Sequence, residues 1–360
     1  MNSPWPTAEY ARPTAEIAWF GALCDDDYAQ LGVVRPDLRS SWEHCRDIVL
    51  EAERGGFDNI LLPSGYDLGI DTTSFASSIA PLTSKMSLLV AVRCGELWPP
   101  QLARQLTTLN QTLGGRLTVN IISSDLPGEK LDGPARYRRT LEVMTIVRAI
   151  MRGQRVEFEG EFHSVHLDAP RICVENPVDP SFYFGGLSDE AREVAAAGAD
   201  VYLMWPDTED MIATTMDDLR ARAARHHRSL RFGYRCHIVV RDTEDEALAA
   251  AHHLIAAVDE EEGARIRARS LDSQSAGVRR QAELRESSAG DGFVEPYLWT
   301  GIGRARSGCG AAIVGTPRQV ADKINRYRDM GITAFILSGY PHLDECTRFA
   351  RDVLPLLRNG

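Results

Sequence analysis

The sequence predicts an α/β fold, a (β/α)8 TIM barrel with insertions, on three observations. Eight short runs rich in β-branched and aromatic residues alternate with longer amphipathic stretches, the rhythm of strands joined by returning helices. The helical stretches open on prolines or capping hydroxyls and close on paired glycines, the ordinary start and stop signals. Two polar pairs share a spacing of two: Arg235 and His237 inside the apolar run Phe232 to Val240, and Tyr340 and His342 just beyond the run Ala334 to Leu337. Side chains two apart on an extended chain can point the same way, and barrel enzymes keep their chemistry at the carboxyl ends of the strands. Eight alternating units favour a closed barrel over an open doubly wound sheet, while periodicity by itself leaves closure open.

In order, Ile17 to Leu23 is the first strand, and a helix from about Trp42 to Arg54 stops at Gly55-Gly56. Asn59 to Leu62 is the second strand, with a helix from about Thr73. Ser87 to Val92 reads as a buried strand, and Pro99-Pro100 opens a helix that runs to Leu113 and closes at Gly114-Gly115. Leu117 to Ile122 is the fourth strand. The next helix, Ala135 to Met151, carries apolar residues at Leu141, Val143, Met144, Val147 and Ile150. Val156 to Val165 alternates apolar and polar residues around Gly160, which predicts a surface hairpin. The remaining strands are Phe182 to Gly185, Val201 to Met204, Phe232 to Val240 and Ala334 to Leu337. Thr316-Pro317-Arg318-Gln319 has the capping-box arrangement of a helix start.

The exception to this rhythm is the segment from about 259 to 310, polar and charged, with Arg265, Arg267, Arg269, Ser273 and Gly290-Asp291-Gly292. It reads as an insertion within a single domain spanning residues 1–360. Its end, Leu298 to Gly308, joins three glycines to Arg304 and Arg306, as expected of a mobile cationic lid over a barrel mouth.

Composition narrows the function. The 360 residues suit one barrel with insertions or two smaller domains, and 44% hydrophobic with 25% charged residues is ordinary for a soluble globular protein. A net charge of -11 argues against nucleic acid or an anionic membrane surface as partner, so an anionic substrate would need local cations. Seven cysteines, without a CxxC pair, read as reduced thiols of a cytoplasmic protein. Residues 1 to 15 lack the cationic start and apolar core of a secretory signal, and no apolar run approaches membrane-spanning length. No metal is implied, since neither His226-His227 nor His252-His253 has the HExxH arrangement. Gly301-Ile302-Gly303 meets Arg306 where a dinucleotide fingerprint needs its third glycine. A phosphate loop is missing, and Ser338-Gly339 lacks the flanks of a hydrolase nucleophile elbow.

Longer blocks carry more. They are Leu89-Val90-Ala91-Val92-Arg93 with Pro99, Ala103-Arg104-Gln105 and Thr108-Leu109; Gly115-Arg116 with Asn120; Arg136-Tyr137; and Tyr183 to Asp189. Further along come Tyr202-Leu203-Met204-Trp205, Arg231-Phe232-Gly233 with Arg235 and His237, and Ser338 to Leu343. On these blocks the chain, from about Trp19 to Leu357, resembles the FMNH2-dependent alkanesulfonate monooxygenases of the bacterial luciferase-like superfamily. The resemblance implies a luciferase-like TIM barrel in a two-component system, in which a separate NAD(P)H-dependent FMN reductase supplies reduced FMN. Oxygen activated on that flavin attacks the substrate, and in the sulfonate branch the C-S bond is cleaved to an aldehyde and sulfite. It also implies a homodimer or homotetramer.

The same resemblance assigns roles. Arg235 would hold the sulfonate or stabilise developing negative charge. His237 and His342 would donate hydrogen bonds or shuttle protons, and Tyr340 would steady a flavin oxygen or act as an acid. Arg306 matches the arginine of the family's mobile loop, and Trp205 a wall of the substrate pocket. Gly185, Gly186, Leu187 and Ser188 would present backbone amides and a hydroxyl to the FMN phosphate at a helix amino end, helped by Arg136 and Tyr137. Asn120 and Ser123 lie where the isoalloxazine ring would rest. Taken alone, each feature has a plainer reading: Arg235 and His237 as a satisfied polar layer, Tyr340 and His342 as a strand-end tyrosine and a helix cap, Gly185-Gly186 as a turn, and Trp205 as packing.

The chain departs from the family at the barrel mouth. After Leu62-Pro63-Ser64-Gly65 the family usually has a loop cysteine, whereas here Tyr66 to Asp71 is one residue longer and has no thiol. Cys24 followed by Asp25-Asp26-Asp27 stands where the family often has a histidine, and Cys94 to Trp98 replaces small residues. Three aspartates and Glu96 would repel a second anionic group, so the substrate need not be a simple alkanesulfonate. A luciferase-like flavin monooxygenase acting on a non-sulfonate substrate, by Baeyer-Villiger, N-hydroxylation or ring-opening oxygenation, is the alternative, and a flavin-binding barrel without catalysis is a third reading.

Overall fold

The computed structural model describes residues 14–129, 131–268, 275–288, 290–306 and 308–358. Arg269, Ser273 and most of the first fifteen residues lie outside that set. Eight parallel strands close into a barrel: β1 (Glu16–Phe20), β2 (Asn59–Leu62), β3 (Ser87–Arg93), β4 (Leu117–Ile122), β7 (Phe182–Phe184), β8 (Val201–Met204), β9 (Arg231–Val240) and β13 (Ile332–Ser338). They pair in that order, and β13 returns to β1. These are the eight runs expected from the sequence. The hairpin around Gly160 is also present, as β5 (Val156–Glu159) and β6 (Ser164–Leu167).

The helices that return the chain are α1 (Trp42–Gly55), α2 (Thr72–Ile79), α3 (Pro99–Thr112), α4 (Gly133–Met151) and α5 (Arg171–Glu175), followed by α6 (Asp189–Gly198) and α7 (Glu209–Arg225). After β9 come α8 (Glu244–Ile255), α9 (Glu260–Ala268), α10 (Ala276–Glu286), α11 (Pro317–Asp329), α12 (His342–Asp352) and α13 (Leu354–Arg358). The expected capping box opens α11, with Thr316 and Gln319 exchanging side-chain and backbone hydrogen bonds.

The barrel interior is layered. At the amino-terminal end Glu16 accepts hydrogen bonds from Tyr183 Oη at 2.8 and 2.9 Å and from Asn59 Nδ2 at 3.1 Å, and Asn59 also donates to Thr118 Oγ1 at 3.0 Å. This satisfied polar floor is covered by an apolar plug of Ala18, Leu61, Leu89, Val201, Ala334 and Ile336. Burying each of the larger members contributes about 1.5–3 kcal/mol.

The segment 259–310 contains more regular structure than its composition suggests. Besides α9 and α10 it holds β10 (Phe293–Glu295) and β11 (Leu298–Trp299), which lead antiparallel into β12 (Ala312–Gly315). The reason for β12 is a mismatch of length. β9 has ten residues and β8 four, so β8 covers only Arg231 to Tyr234 of that edge. β12 pairs parallel with the remaining edge, from His237 to Val240, and satisfies its backbone groups. None of β10, β11 and β12 was predicted from the sequence.

Candidate active site

A cavity of about 370 Å³ opens at the carboxyl end of the barrel, lined by Arg235, His237, Tyr340, His342, Arg306, Trp205 and Asn120. The six residues proposed for catalysis from the sequence therefore meet in one place. Asn120 joins them from β4.

The β9–β13 register sets the centre of the site. Ser338 is the pairing partner of His237, and Ile336 that of Arg235. Arg235 donates from Nη2 to Ser338 Oγ at 2.8 Å, and from Nη1 to the Cys236 carbonyl at 2.8 Å and the Ile336 carbonyl at 3.5 Å. Its guanidinium lies 4.3 Å from the centre of the Phe20 ring. Ser338 Oγ in turn lies 2.8 Å from His237 Nδ1. Because the arginine has no acceptor, Ser338 Oγ accepts its N–H hydrogen bond and the serine O–H donates to His237 Nδ1. Burial first, then the Arg235 and Arg306 charges, hold His237 well below the ordinary imidazole value, so the ring is neutral with its proton on Nε2.

The three cavity arginines differ in partner. Arg93 donates from Nε to Glu96 at 3.1 Å, and Arg306 pairs with Asp25 while lying 5.0 Å from the Tyr340 ring centre and 5.3 Å from that of Tyr28. Among the described residues every hydrogen-bond partner of Arg235 is a neutral oxygen. Burial raises the Tyr340 hydroxyl above its ordinary value, so it is a protonated donor. The Tyr340 ring stacks on His237 at 5.3 Å and meets His342 edge-on at 4.8 Å. Trp205 forms a wall backed by α10 and the lid segment, with Gly277 and Gly308 both against its indole. Of the two lid arginines, Arg306 reaches the cavity, whereas Arg304 turns away to the Val258 carbonyl. Ser307 lies outside the described residues.

The acidic cluster behaves differently from its sequence reading. Asp25 is neutralised by Arg306, Glu96 faces Arg93, and Asp27 is fully buried between His342 and His44, so the run is not a bare wall of negative charge. Cys24 lines the cavity as a neutral thiol, pushed up to about 11 by burial and then by Asp25. The longer loop rests directly on this segment, where a Cβ on Gly69 would run into the Leu23 carbonyl oxygen. His44, Ser338, Phe20 and Arg93 are site residues to which the sequence alone assigns no role, and Asp27 enters it only as one of three repelling aspartates. Phe20 carried a signal, as the position two after Ala18 on the first strand's inner face.

Residues 23–334 match the family described as luciferase-like monooxygenase. The chain is 58% identical over 357 residues to a sulfoquinovose monooxygenase of Novosphingobium aromaticivorans, covering 97% of this chain and 99% of that protein. It is 51% identical over 347 residues to a sulfoquinovose monooxygenase of Agrobacterium fabrum, covering 96% and 90%. The chain belongs to the luciferase-like monooxygenase family. Among solved structures, a riboflavin lyase with modified FMN and riboflavin superposes with a TM-score of 0.78 at 16% identity, covering 96% of this chain and 92% of the other. At that identity the likeness concerns the fold alone.

The resemblance to the flavin-dependent family implies a flavin, and the residues at the β4–β7 side of the mouth fit one. Among the described residues Ser123 Oγ and Arg136 Nε are buried with no hydrogen-bond partner, while another Arg136 nitrogen pairs with Asp125. Gly186 turns β7 into α6 at φ +147°, where a Cβ would lie 2.7 Å from Ala191 Cβ and 3.5 Å from Tyr137 Oη. Ser188 caps α6 by accepting from Ala191 N at 3.2 Å, which leaves its hydroxyl hydrogen for another acceptor. Gly185, Gly186, Leu187, Ser188, Arg136, Tyr137 and Ser123 stand outside the cavity lining, which Asn120 joins from β4. Among the described residues no cluster of His, Cys, Asp and Glu could hold a metal, and no helix is long and apolar enough to cross a membrane.

Proposed function

We propose that this chain is a two-component monooxygenase that uses reduced FMN and O2 to cleave the C-S bond of a sulfonated sugar of the sulfoquinovose type. The observation that carries this reading is Arg235, a buried cation lining the cavity whose hydrogen-bond partners among the described residues are all neutral. A buried guanidinium favours an anion that can accept two hydrogen bonds, which a sulfonate does. Around it, Asp26, Asp67, Ser64 and Tyr66 offer the acceptors and donors that a polyol needs and an alkyl tail does not. The relatives named for sulfoquinovose, at 58% and 51% identity, support the same choice.

The reaction converts R-CH2-SO3⁻, O2 and FMNH2 into R-CHO, HSO3⁻, FMN and water. Carbon and flavin each give up two electrons, and dioxygen accepts four. When bound, the flavin supplies the reducing equivalents and activates oxygen. Asn120 and Ser123 would face its ring, and Arg136, Tyr137 and the turn Gly185 to Ser188 its phosphate. The chain's own residues do the rest: Arg235 holds the sulfonate, Tyr340 and His237 Nε2 donate hydrogen bonds to oxygen, and Arg306 with Trp205 closes the cavity against water. The reduced flavin comes from an NAD(P)H-dependent FMN reductase, and the enzyme works as a homodimer or homotetramer.

The test is sulfite release from a panel comprising sulfoquinovose, a simple alkanesulfonate and taurine, with FMN, NADH, a reductase and O2. The reading expects sulfite from sulfoquinovose at the highest kcat/KM. Oxygen consumption with a ketone or amine and no sulfite from any sulfonate would instead assign the other oxygenation chemistry.

A further inference from the structure

His237 and His342 share the cavity, and their hydrogen bonds set them in opposite senses. The Arg235 to Ser338 to His237 chain makes Nδ1 of His237 an acceptor. At His342 the order is reversed. Its Nδ1 lies 2.7 Å from Asp27 Oδ1, and an ionised carboxylate can only accept. The second Asp27 oxygen takes the His342 backbone N-H at 2.8 Å and His44 Nε2 at 3.0 Å. Asp27 is itself anchored by its N-H to the Leu38 carbonyl at 2.8 Å. Burial opposes its ionisation, but the interaction with His342 and the hydrogen bonds from His342 and His44 outweigh it and hold Asp27 well below the usual carboxylate range. Among the described residues His342 Nε2 is buried with no hydrogen-bond partner, and His342 lines the cavity.

We propose that Asp27 is a positioning residue that fixes His342 with its proton on Nδ1, so that Nε2 offers a lone pair to the cavity and acts as the proton acceptor of the reaction, opposite the donor His237. The inference rests on the C-S cleavage reading above. As the sulfonate-bearing carbon goes to the aldehyde level it loses one hydrogen as a proton, and the C-S bonding pair leaves with sulfite. Nε2 takes that proton and returns it to the oxygen atom that departs as water. A dyad of this kind fixes both tautomer and ring orientation, and substituting an amide for the carboxylate in the Ser-His-Asp triad of other enzymes costs about 10⁴-fold in kcat.

The decisive measurement is the ring ¹⁵N spectrum of the full chain labelled at histidine, recorded without flavin or substrate. The His342 signals are identified by their loss in His342→Gln. Under conditions where the ring is neutral, wild type is expected to show Nδ1 protonated and Nε2 bare, and a proton on Nε2 overturns the proposal. Asp27→Asn is expected to shift the ring toward the Nε2-protonated tautomer and to lower kcat about 10²-fold or more with KM within about threefold, while Asp27→Glu restores part of kcat. An Asp27→Asn enzyme that folds and keeps wild-type kcat also overturns it. Should that variant not fold, the wild-type spectrum decides alone. If the wild-type enzyme releases no sulfite, the functional reading fails, while the spectrum still reports the dyad.

Discussion

Two walls of one cavity are built by different means. The wall of β9, β13 and β1 places Arg235, His237 and Ser338 on paired strands, 5%, 3% and 0% exposed, with register and hydrogen bonds that leave each side chain one position. A second wall, formed by the loop after β2, exposes Tyr66 to 66% and Leu68 to 38%. The rigid wall suits chemistry that fails when groups move by an ångström, and the loop wall suits recognition that varies with substrate. The difference places the oxygenation machinery on one side and substrate choice on the other.

That division breaks if the largest effect does not come from the rigid wall. Arg235→Ala is expected to lower kcat/KM for a sulfonate by about 10²- to 10³-fold, measured as sulfite release. Ser338→Ala removes the link between Arg235 and His237, and a loss of about tenfold in kcat is expected for one hydrogen bond of this kind. Ser123→Ala, outside both walls, should weaken FMN binding by up to about tenfold, read by flavin fluorescence, and leave the sulfonate KM unchanged. On the loop wall, Tyr66→Ala should change KM by about threefold or less with kcat intact, since an exposed side chain contributes little.

Acid stability sharpens the same contrast. His237 is neutral in the fold while the unfolded chain takes up a proton as pH falls through about 6.5. The unfolded state then holds more protons, so stability drops as pH falls below that value. Asp27 adds a second loss below about pH 4, where its carboxylate protonates in the unfolded chain before it does in the fold. Urea midpoints at pH 8, 6 and 5 should decline for wild type and decline less for His237→Gln.

The rigid wall was also the readable one. Arg235 and His237 sit in a ten-residue apolar strand, and the spacing of two that put them on one face survives in the fold. The eight barrel strands were visible because each is an apolar run of its own. β12 was not, because four residues after a polar segment become a strand only when the uncovered edge of β9 accepts them. Asp27 was hidden for a related reason. It lies in a run of three aspartates with no periodic cue, and its partner His342 is 315 residues away, so the run read as repulsion where the fold makes ion pairs.

The central claim, that this cavity directs oxygen to a carbon-sulfur bond, is tested most directly by single-turnover stoichiometry with sulfoquinovose. Enzyme holding one equivalent of reduced FMN is mixed with substrate and O2, and sulfite, aldehyde and hydrogen peroxide are counted. One sulfite and one aldehyde per flavin oxidised, with little peroxide, is the predicted result. Quantitative peroxide and no sulfite, with this and every other sulfonate tried, would contradict it.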